Sequence, residues 1–479
     1  DYDVYKLQDG SLKGLESQLG LNIHETDVAF DLDRPLTADE IELTRNYCHD
    51  DVLALMSVFI ERKADFDAHM GLINTFKLPL ACISKTPVQI AAKILECEWR
   101  DHDDEFDIRF VPAIRLKKYA YVQEWFVEQF RQCKEAGDYV KGSLCTTIAG
   151  TPTVFGYGGL HGSINKIHRK GLLVHVDVTS FYPTLSIVYN FLTRNSTQPQ
   201  KYKDIYDTRV ALKRAGKKKE QLSYKLVLNG SYGISKDKLS IAHDGLMGNC
   251  ICVNGQLLLL MLIERLEDAF GKGISFVNVN TDGLIVEIPD TDEAWETLDD
   301  VCYGWEQDCK VSLEFDIISE LWQKDVNNYC FKFANGKLER KGKWVQESTP
   351  LKNELTIVNT ALVEYMVNGV PVEKTILGCD DPMQFMMTCK ISNKYECGWH
   401  NGERLTDKVF RVYASANEDD DSLYKQKADN DTKEKFADVP DHIIIYNSAL
   451  TGVTCTDIGI DKQWYVDLAH KRLGSFYED

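Results

Sequence analysis

The 479-residue sequence predicts an α+β protein whose centre is an antiparallel sheet backed by helices. Three observations predict it. An apolar run, Leu172, Leu173, Val174 and Val176, ends at Asp177 and reads as a buried strand over 171–178. A second segment, Ile274 to Ile288, alternates through Val277, Val279, Leu284 and Val286 about the turn dipeptide Asp282-Gly283 and reads as a hairpin. Between them lie two helical stretches whose shared tip carries Lys213, Arg214, Lys217, Lys218 and Lys219.

In chain order, residues 1 to about 75 read as a short lead and a long helix. Thr37 and Glu40 spell a capping box, and apolar residues recur through Ile41, Leu43, Val52, Leu53, Leu55, Met56, Val58 and Phe59. Tyr47 and Asp51 share a face of that helix; spacing alone implies no more than a surface pair. Residues 76–165 mix helix and strand signals and hold a Gly-rich turn, Phe155 to Ser163, where backbone can approach another group closely. The strand at 171–178 leads through Pro183 into a helix ending at Leu192. Helices over 203–215 and from Glu220 toward Asn229 form a helical hairpin turning at Gly216. An apolar helix from Asn254 to Phe270 stops at Gly271. Residues 329–345 form another hairpin at Asn335-Gly336. The acidic stretch 417–435 reads as a mobile loop, and a last helix starts near Asp461 with Trp464, Leu468, Leu473 and Phe476 on its apolar side.

The formal net charge of −19 argues against nucleic acid only on average, because phosphate is bound by local lysine and arginine. Acid gathers at Glu418–Asp421 and Asp101–Glu105; base gathers at 213–219 and at Lys337, Arg340, Lys341 and Lys343. The longest apolar run, Leu257 to Ile263, falls short of the ~20 residues that span a bilayer, so no membrane partner is expected. With no signal peptide, the cytoplasm is the expected compartment. The chain opens on Asp1 rather than Met, which suggests a piece of a larger protein. The 14 cysteines show no paired spacing and are expected to be reduced. Cys397 and His400 have metal spacing, but no CxxC accompanies them and a zinc site is not expected.

Singly, each prominent residue has a plain explanation. Asp177 suits a helix cap, Asp282 a turn, Lys225 a solvated helix face. Their order is another matter. Asp177-Val-Thr-Ser-Phe-Tyr-Pro-Thr184, then Lys225-Leu-Val-Leu-Asn229-Gly-Ser-Tyr232-Gly233, then Asn278-Val-Asn280-Thr281-Asp282-Gly283 resembles motifs A, B and C of family B (polymerase alpha-like) DNA polymerases, with a bacteriophage flavour. Tyr47-Cys-His-Asp-Asp51 resembles the third motif of that family's 3′–5′ exonuclease. No convincing upstream acidic motif accompanies it, so the resemblance implies the end of an exonuclease domain without proofreading activity.

The resemblance implies a right-hand polymerase with palm, fingers and thumb, copying DNA with dNTPs on a primer-template in DNA replication, in the host cytoplasm if viral. It implies two Mg²⁺ ions, with Mn²⁺ as a substitute, held by Asp177, Asp282 and the Val178 carbonyl. Arg209, Lys213 and Lys225 would grip the triphosphate; Ser180, Phe181 and Asn229 would line the dNTP site; Tyr182 would exclude a 2′-hydroxyl. Tyr232 and Gly233 would face the nascent pair, Tyr329, Lys341 and Gly342 the duplex, and Tyr157, Gly158 and Gly159 the template, with Thr281 a further DNA-binding residue. Partner replication proteins belong to the same picture. The implied layout is 1–75 exonuclease end, 76–165 linker and first palm part, 166–200 palm, 201–235 fingers, 236–349 palm and 350–479 thumb. With little room after motif A for a protein-priming insert, a nucleic-acid primer is expected. Asn280 stands where the family has an Asp, Gly283 and Gly230 where it has Ser, and Glu314 and Asp316 are candidate accessory acids. Asn280 and Gly283 raise the alternative of a catalytically weak, polymerase-like DNA-binding factor.

Overall fold

The computed structural model describes residues 10–26, 28–29, 32–218, 220–429 and 432–477; Asp1 and Lys219 lie outside them. The described helices are α1 (Leu12–Gln18), α2 (Ala38–Glu61), α3 (Lys63–Thr75), α4 (Pro87–Ile94), α5 (Ala120–Ala136), α6 (Phe181–Val188), α7 (Pro199–Arg214), α8 (Glu220–Lys236), α9 (Gly245–Phe270), α10 (Asp292–Cys309), α11 (Thr356–Asn368), α12 (Val372–Leu377), α13 (Cys455–Ile458) and α14 (Lys462–Leu473). The strands are β1 (Leu144–Ile148), β2 (Thr151–Phe155), β3 (His161–Ser163), β4 (Ile167–Val178), β5 (Ser275–Val279), β6 (Gly283–Glu287), β7 (Leu313–Asp325), β8 (Asn328–Phe333), β9 (Leu338–Lys341), β10 (Met387–Lys390), β11 (Tyr395–His400), β12 (Glu403–Leu405), β13 (Val409–Ala414), β14 (Tyr424–Lys427), β15 (Lys433–Lys435) and β16 (Ile443–Ile445). The chain divides into two compact units, one built on Asp65–Glu339, the other on Asp3–Ala64 and Arg340–Ser475.

The first unit is organised by a mixed-order sheet, β1-β2-β3-β5-β6-β4-β7-β8-β9. Neighbours from β1 to β8 run antiparallel. The alternation of β4 explains its central place. Leu172, Val174, Val176 and Val178 enter the core formed with α5, α9 and α10, whereas Leu173 enters a second apolar cluster with Val277, Ile285, Ile318 and Phe331. A strand buried on both faces must sit inside the sheet, and at its end the Leu173 side carries Asp177. A third cluster, with Ile90, Ala91, Tyr202, Val227 and Leu228, joins α4, α7 and α8 beside the sheet.

The helix expected from Asn254 instead begins at Gly245. Its early polar residues are buried and satisfied from afar: Asn254 Nδ2 donates to the Arg109 carbonyl at 2.7 Å, and its Oδ1 accepts from Val111 N at 2.8 Å. The resulting segment, Gly245–Gly273, is long and apolar enough to cross a membrane by length and composition, a length the seven-residue apolar run did not suggest, yet its most apolar window is wholly buried in the fold.

The second unit holds α1, α2, α11, α12 and α14 with two small sheets, β10-β13-β16 and β12-β11-β14-β15. The capping box at Thr37 and Glu40 starts α2, whose Tyr47 and Asp51 are one turn apart. The loop expected over 417–435 contains β14 and β15: Tyr424 pairs with Lys435 and Gln426 with Lys433. Lysine–aromatic contacts such as Lys433 over Trp399, at 3.3 Å, supply the cohesion that composition concealed. All 14 cysteines are free thiols, and among the described residues no three His, Cys, Asp or Glu side chains group as metal ligands.

Candidate active site

Strand pairing puts the key carboxylates on neighbouring strands. Asp177 on β4 lies opposite Gly283 on β6, one residue after Asp282, and opposite Glu314 on β7. The Asp282 carbonyl accepts from Val178 N at 2.8 Å, which ties the hairpin tip to the end of β4. Gly283 is required by this approach. A Cβ there would meet the Val176 carbonyl oxygen at 2.9 Å and Asp177 Oδ1 at 3.0 Å. The tip itself closes through Asn280 N to the Gly283 carbonyl at 2.8 Å. Asn280 Oδ1 accepts from Thr281 N at 3.2 Å and lies 3.1 Å from His161 Nδ1, so this side chain is spent on the turn and on β3.

Asp177 and Asp282 help line a cavity of about 430 Å³. Its wall also includes Val178, Ser180, Phe181 and Tyr182 from β4 and α6, Arg209 from α7, and Lys225, Asn229 and Tyr232 from α8, with Thr281 from the hairpin. Three segments far apart in sequence thus meet at one hollow. On α8, Lys225, Asn229 and Tyr232 follow the helical repeat and present one face. Ser180 caps α6 with φ 51°, ψ 48°, a left-handed conformation uncommon for serine. Its Oγ accepts from Arg209 Nη1 at 2.6 Å. Lys213 lies outside the cavity wall and pairs with Glu314 at 2.6 Å.

The electrostatics are lopsided. Burial, then the charges of Asp282 and Glu314, push the Asp177 carboxyl up to about 7. The Lys213 hydrogen bond holds Glu314 below the usual range. Burial lowers the Arg209 guanidinium. Such crowding of carboxylates is what a bound cation relieves, and the donors on offer are hard oxygens: two carboxylates and the Val178 carbonyl. That set fits a divalent cation which takes one or two carboxylates and completes its shell with water and phosphate.

Tyr182 stands at the cavity floor, its ring centroid 4.6 Å from that of Tyr232. Its hydroxyl is buried beside the Cys252 thiol without a hydrogen bond of normal geometry, and burial raises it. Behind it α9 offers Gly255, where a Cβ would come within 3.4 Å of the Tyr182 ring. Phe181 is 3% exposed and serves mainly the core.

Gly159 lies against Thr281, whose Oγ1 a Cβ would meet at 2.8 Å; Gly158 and Gly233 face open space. Tyr157 is half-buried, its hydroxyl 3.0 Å from Cys133 Sγ and 3.1 Å from the Val140 carbonyl. Tyr329 is buried, its ring stacked on Phe331, and its hydroxyl is pushed up to about 12 by burial. Lys341 and Gly342 belong to the second unit. So do Tyr47 and Asp51, which meet Lys13: its ammonium lies 3.2 Å from Asp51 Oδ1, 2.9 Å from Glu16 Oε2 and 4.6 Å from the Tyr47 ring centroid. Sequence reading passed over Lys13 and Glu16, because a four-residue helix spacing gave no hint of what packs across it.

No family model and no curated protein matches the chain. Among solved structures, the chain is similar to the family B DNA polymerase from the hyperthermophilic archaeon Pyrobaculum calidifontis, at 11% identity and a TM-score of 0.47, over 92% of this chain and 57% of that one.

Proposed function

We propose that this chain is a DNA-directed DNA polymerase of the family B type, adding dNMPs to a primer 3′-hydroxyl. One observation carries the reading: the segments that resemble motifs A, B and C, distant in sequence, converge on one cavity lined by the carboxylates Asp177 and Asp282 and the cations Arg209 and Lys225. A bacteriophage-type enzyme acting in a host cytoplasm is the setting its motif spelling favours.

In this reading, Asp177, Asp282 and the Val178 carbonyl would hold two Mg²⁺ ions, replaceable by Mn²⁺, which would supply charge neutralisation and activation of the 3′-oxygen. The chain's own residues do the rest. Arg209 and Lys225 hold the β- and γ-phosphates and offset charge as the bond from the α-phosphorus to pyrophosphate breaks. Lys213 joins them once released from Glu314. Ser180, Phe181 and Asn229 shape the nucleotide cradle. Tyr182, fixed between Tyr232 and Gly255, meets the sugar and leaves no space for a 2′-hydroxyl. Gly158, Gly159, Thr281 and Gly233 border the templating side, while Lys341 and Gly342 contact duplex phosphate. Tyr157 and Tyr329 support these surfaces from within. Tyr47 and Asp51 are the end of an exonuclease fold and give no proofreading by themselves. Asn280 favours a second reading, a weakly active DNA-binding factor, since its side chain brings no charge to the hairpin tip.

Nucleotide choice tests the proposal. Tyr182→Val should raise ribonucleotide incorporation relative to dNTP by about 10²-fold, measured by competitive primer extension. Unchanged discrimination would remove Tyr182 from the sugar site.

A further inference from the structure

We infer that Lys236 is a positioning residue: its ammonium fastens the loop 156–160 to the end of α8, and that loop supports the hairpin tip bearing Thr281 and Asp282. The effect on turnover rests on the polymerase reading; the fastening rests on geometry alone.

Lys236 is the last residue of α8 and continues the face of Lys225, Asn229 and Tyr232 by one more turn. Its stem lies over α9 where Gly248 has no side chain; a Cβ there would meet Lys236 Cγ at 2.7 Å. Its Nζ donates to the Tyr157 carbonyl at 2.9 Å. The Cys252 thiol donates to the same oxygen at 3.1 Å. Gln256 brackets Gly156, donating to its carbonyl at 2.8 Å and accepting from its N–H at 3.3 Å. The far end of the loop is Gly159, φ 155°, pressed against Thr281. A charged donor on a carbonyl makes a stronger tie than a neutral one, and burial strengthens it further. One continuous chain of contacts therefore runs from the helix with the phosphate-facing Lys225 to the hairpin with Asp282. Displacing it would change the spacing between cation and carboxylate, to which phosphoryl transfer is steeply sensitive.

Lys236→Met keeps the stem and removes the donor. Amide hydrogen exchange of the free protein should then quicken by about fivefold or more over 155–163 and 278–284, with 250–266 unchanged, and Lys236→Arg should restore protection. In primer extension, Lys236→Met should lower kcat by about tenfold with nucleotide KM within about twofold. Exchange equal to the parent over 155–163 would overturn the inference. If Lys236→Met lacks a cooperative melt, Lys236→Gln, neutral and one atom shorter than the lysine, is read in its place: faster exchange over 155–163 supports the anchor and parental exchange overturns it. A parent that shows the exchange pattern but extends no primer would contradict the polymerase reading and leave the anchor standing.

Discussion

Asp177 stands in a crowd of negative charge, and its behaviour with pH follows. Burial, Asp282 and Glu314 hold its carboxyl up to about 7, above the value in an unfolded chain. Its contribution to stability is therefore full below the unfolded value and is lost as pH rises through about 7. A cation on the deprotonated pair reverses that loss. Calorimetry should show Mg²⁺ raising the melting temperature more at pH 8 than at pH 5, and Asp177→Asn should abolish the difference. Equal shifts at both pH values in the parent would take the cation away from Asp177. Gly283 sets the structure against the resemblance. The family's serine at this position would bring a Cβ 2.9 Å from the Val176 carbonyl. Gly283→Ser should thus lower extension by about tenfold rather than improve it; a gain in rate would show that β6 can yield.

At the scale of elements, α7 is tied to the sheet by Lys213 on Glu314 and to the cap of α6 by Arg209 on Ser180. The first pair is half exposed and of modest strength. In the proposed reaction an incoming triphosphate would compete with both. Glu314→Gln should lower the apparent KM for dNTP severalfold, read by steady-state extension; an unchanged KM would make the pair incidental. The elements around this site were legible because their signals are local. The alternation of β5 and β6 about Asp282-Gly283 and the buried run of β4 follow from side-chain period alone. What escaped were elements made by distant partners. The start of α9 is broken up in sequence by Gly245, Gly248, Asn249 and Asn254, and it is the segment at 105–111, with Tyr139, that makes the two asparagines fit to be buried. The strands β14 and β15 hide in an acidic stretch because Trp399 and Tyr395, which their lysines cover, lie elsewhere. Lys236 and Lys13 escaped for the same reason: a lysine's partners are set by tertiary packing.

Across the whole molecule, charge and site pull in opposite directions. The net charge of −19 repels nucleic acid at long range, so the proposed affinity for DNA would have to come from local basic clusters. Binding should weaken steeply as salt rises, with a log–log slope reporting the number of phosphates contacted. A fluorescence-anisotropy titration of primer-template at several salt concentrations measures it, and a flat response would leave no role for lysine–phosphate contacts. The central claim is that Asp177 and Asp282 work as a pair in templated DNA synthesis. Its most direct test is primer extension on a primed DNA template with Mg²⁺ and dNTPs, the parent beside Asp282→Asn. Templated extension by the parent that drops by on the order of 10³-fold or more in the variant is the predicted result. DNA binding without extension by the parent would contradict the account and favour the binding-factor reading, with Asn280→Asp the next change to make.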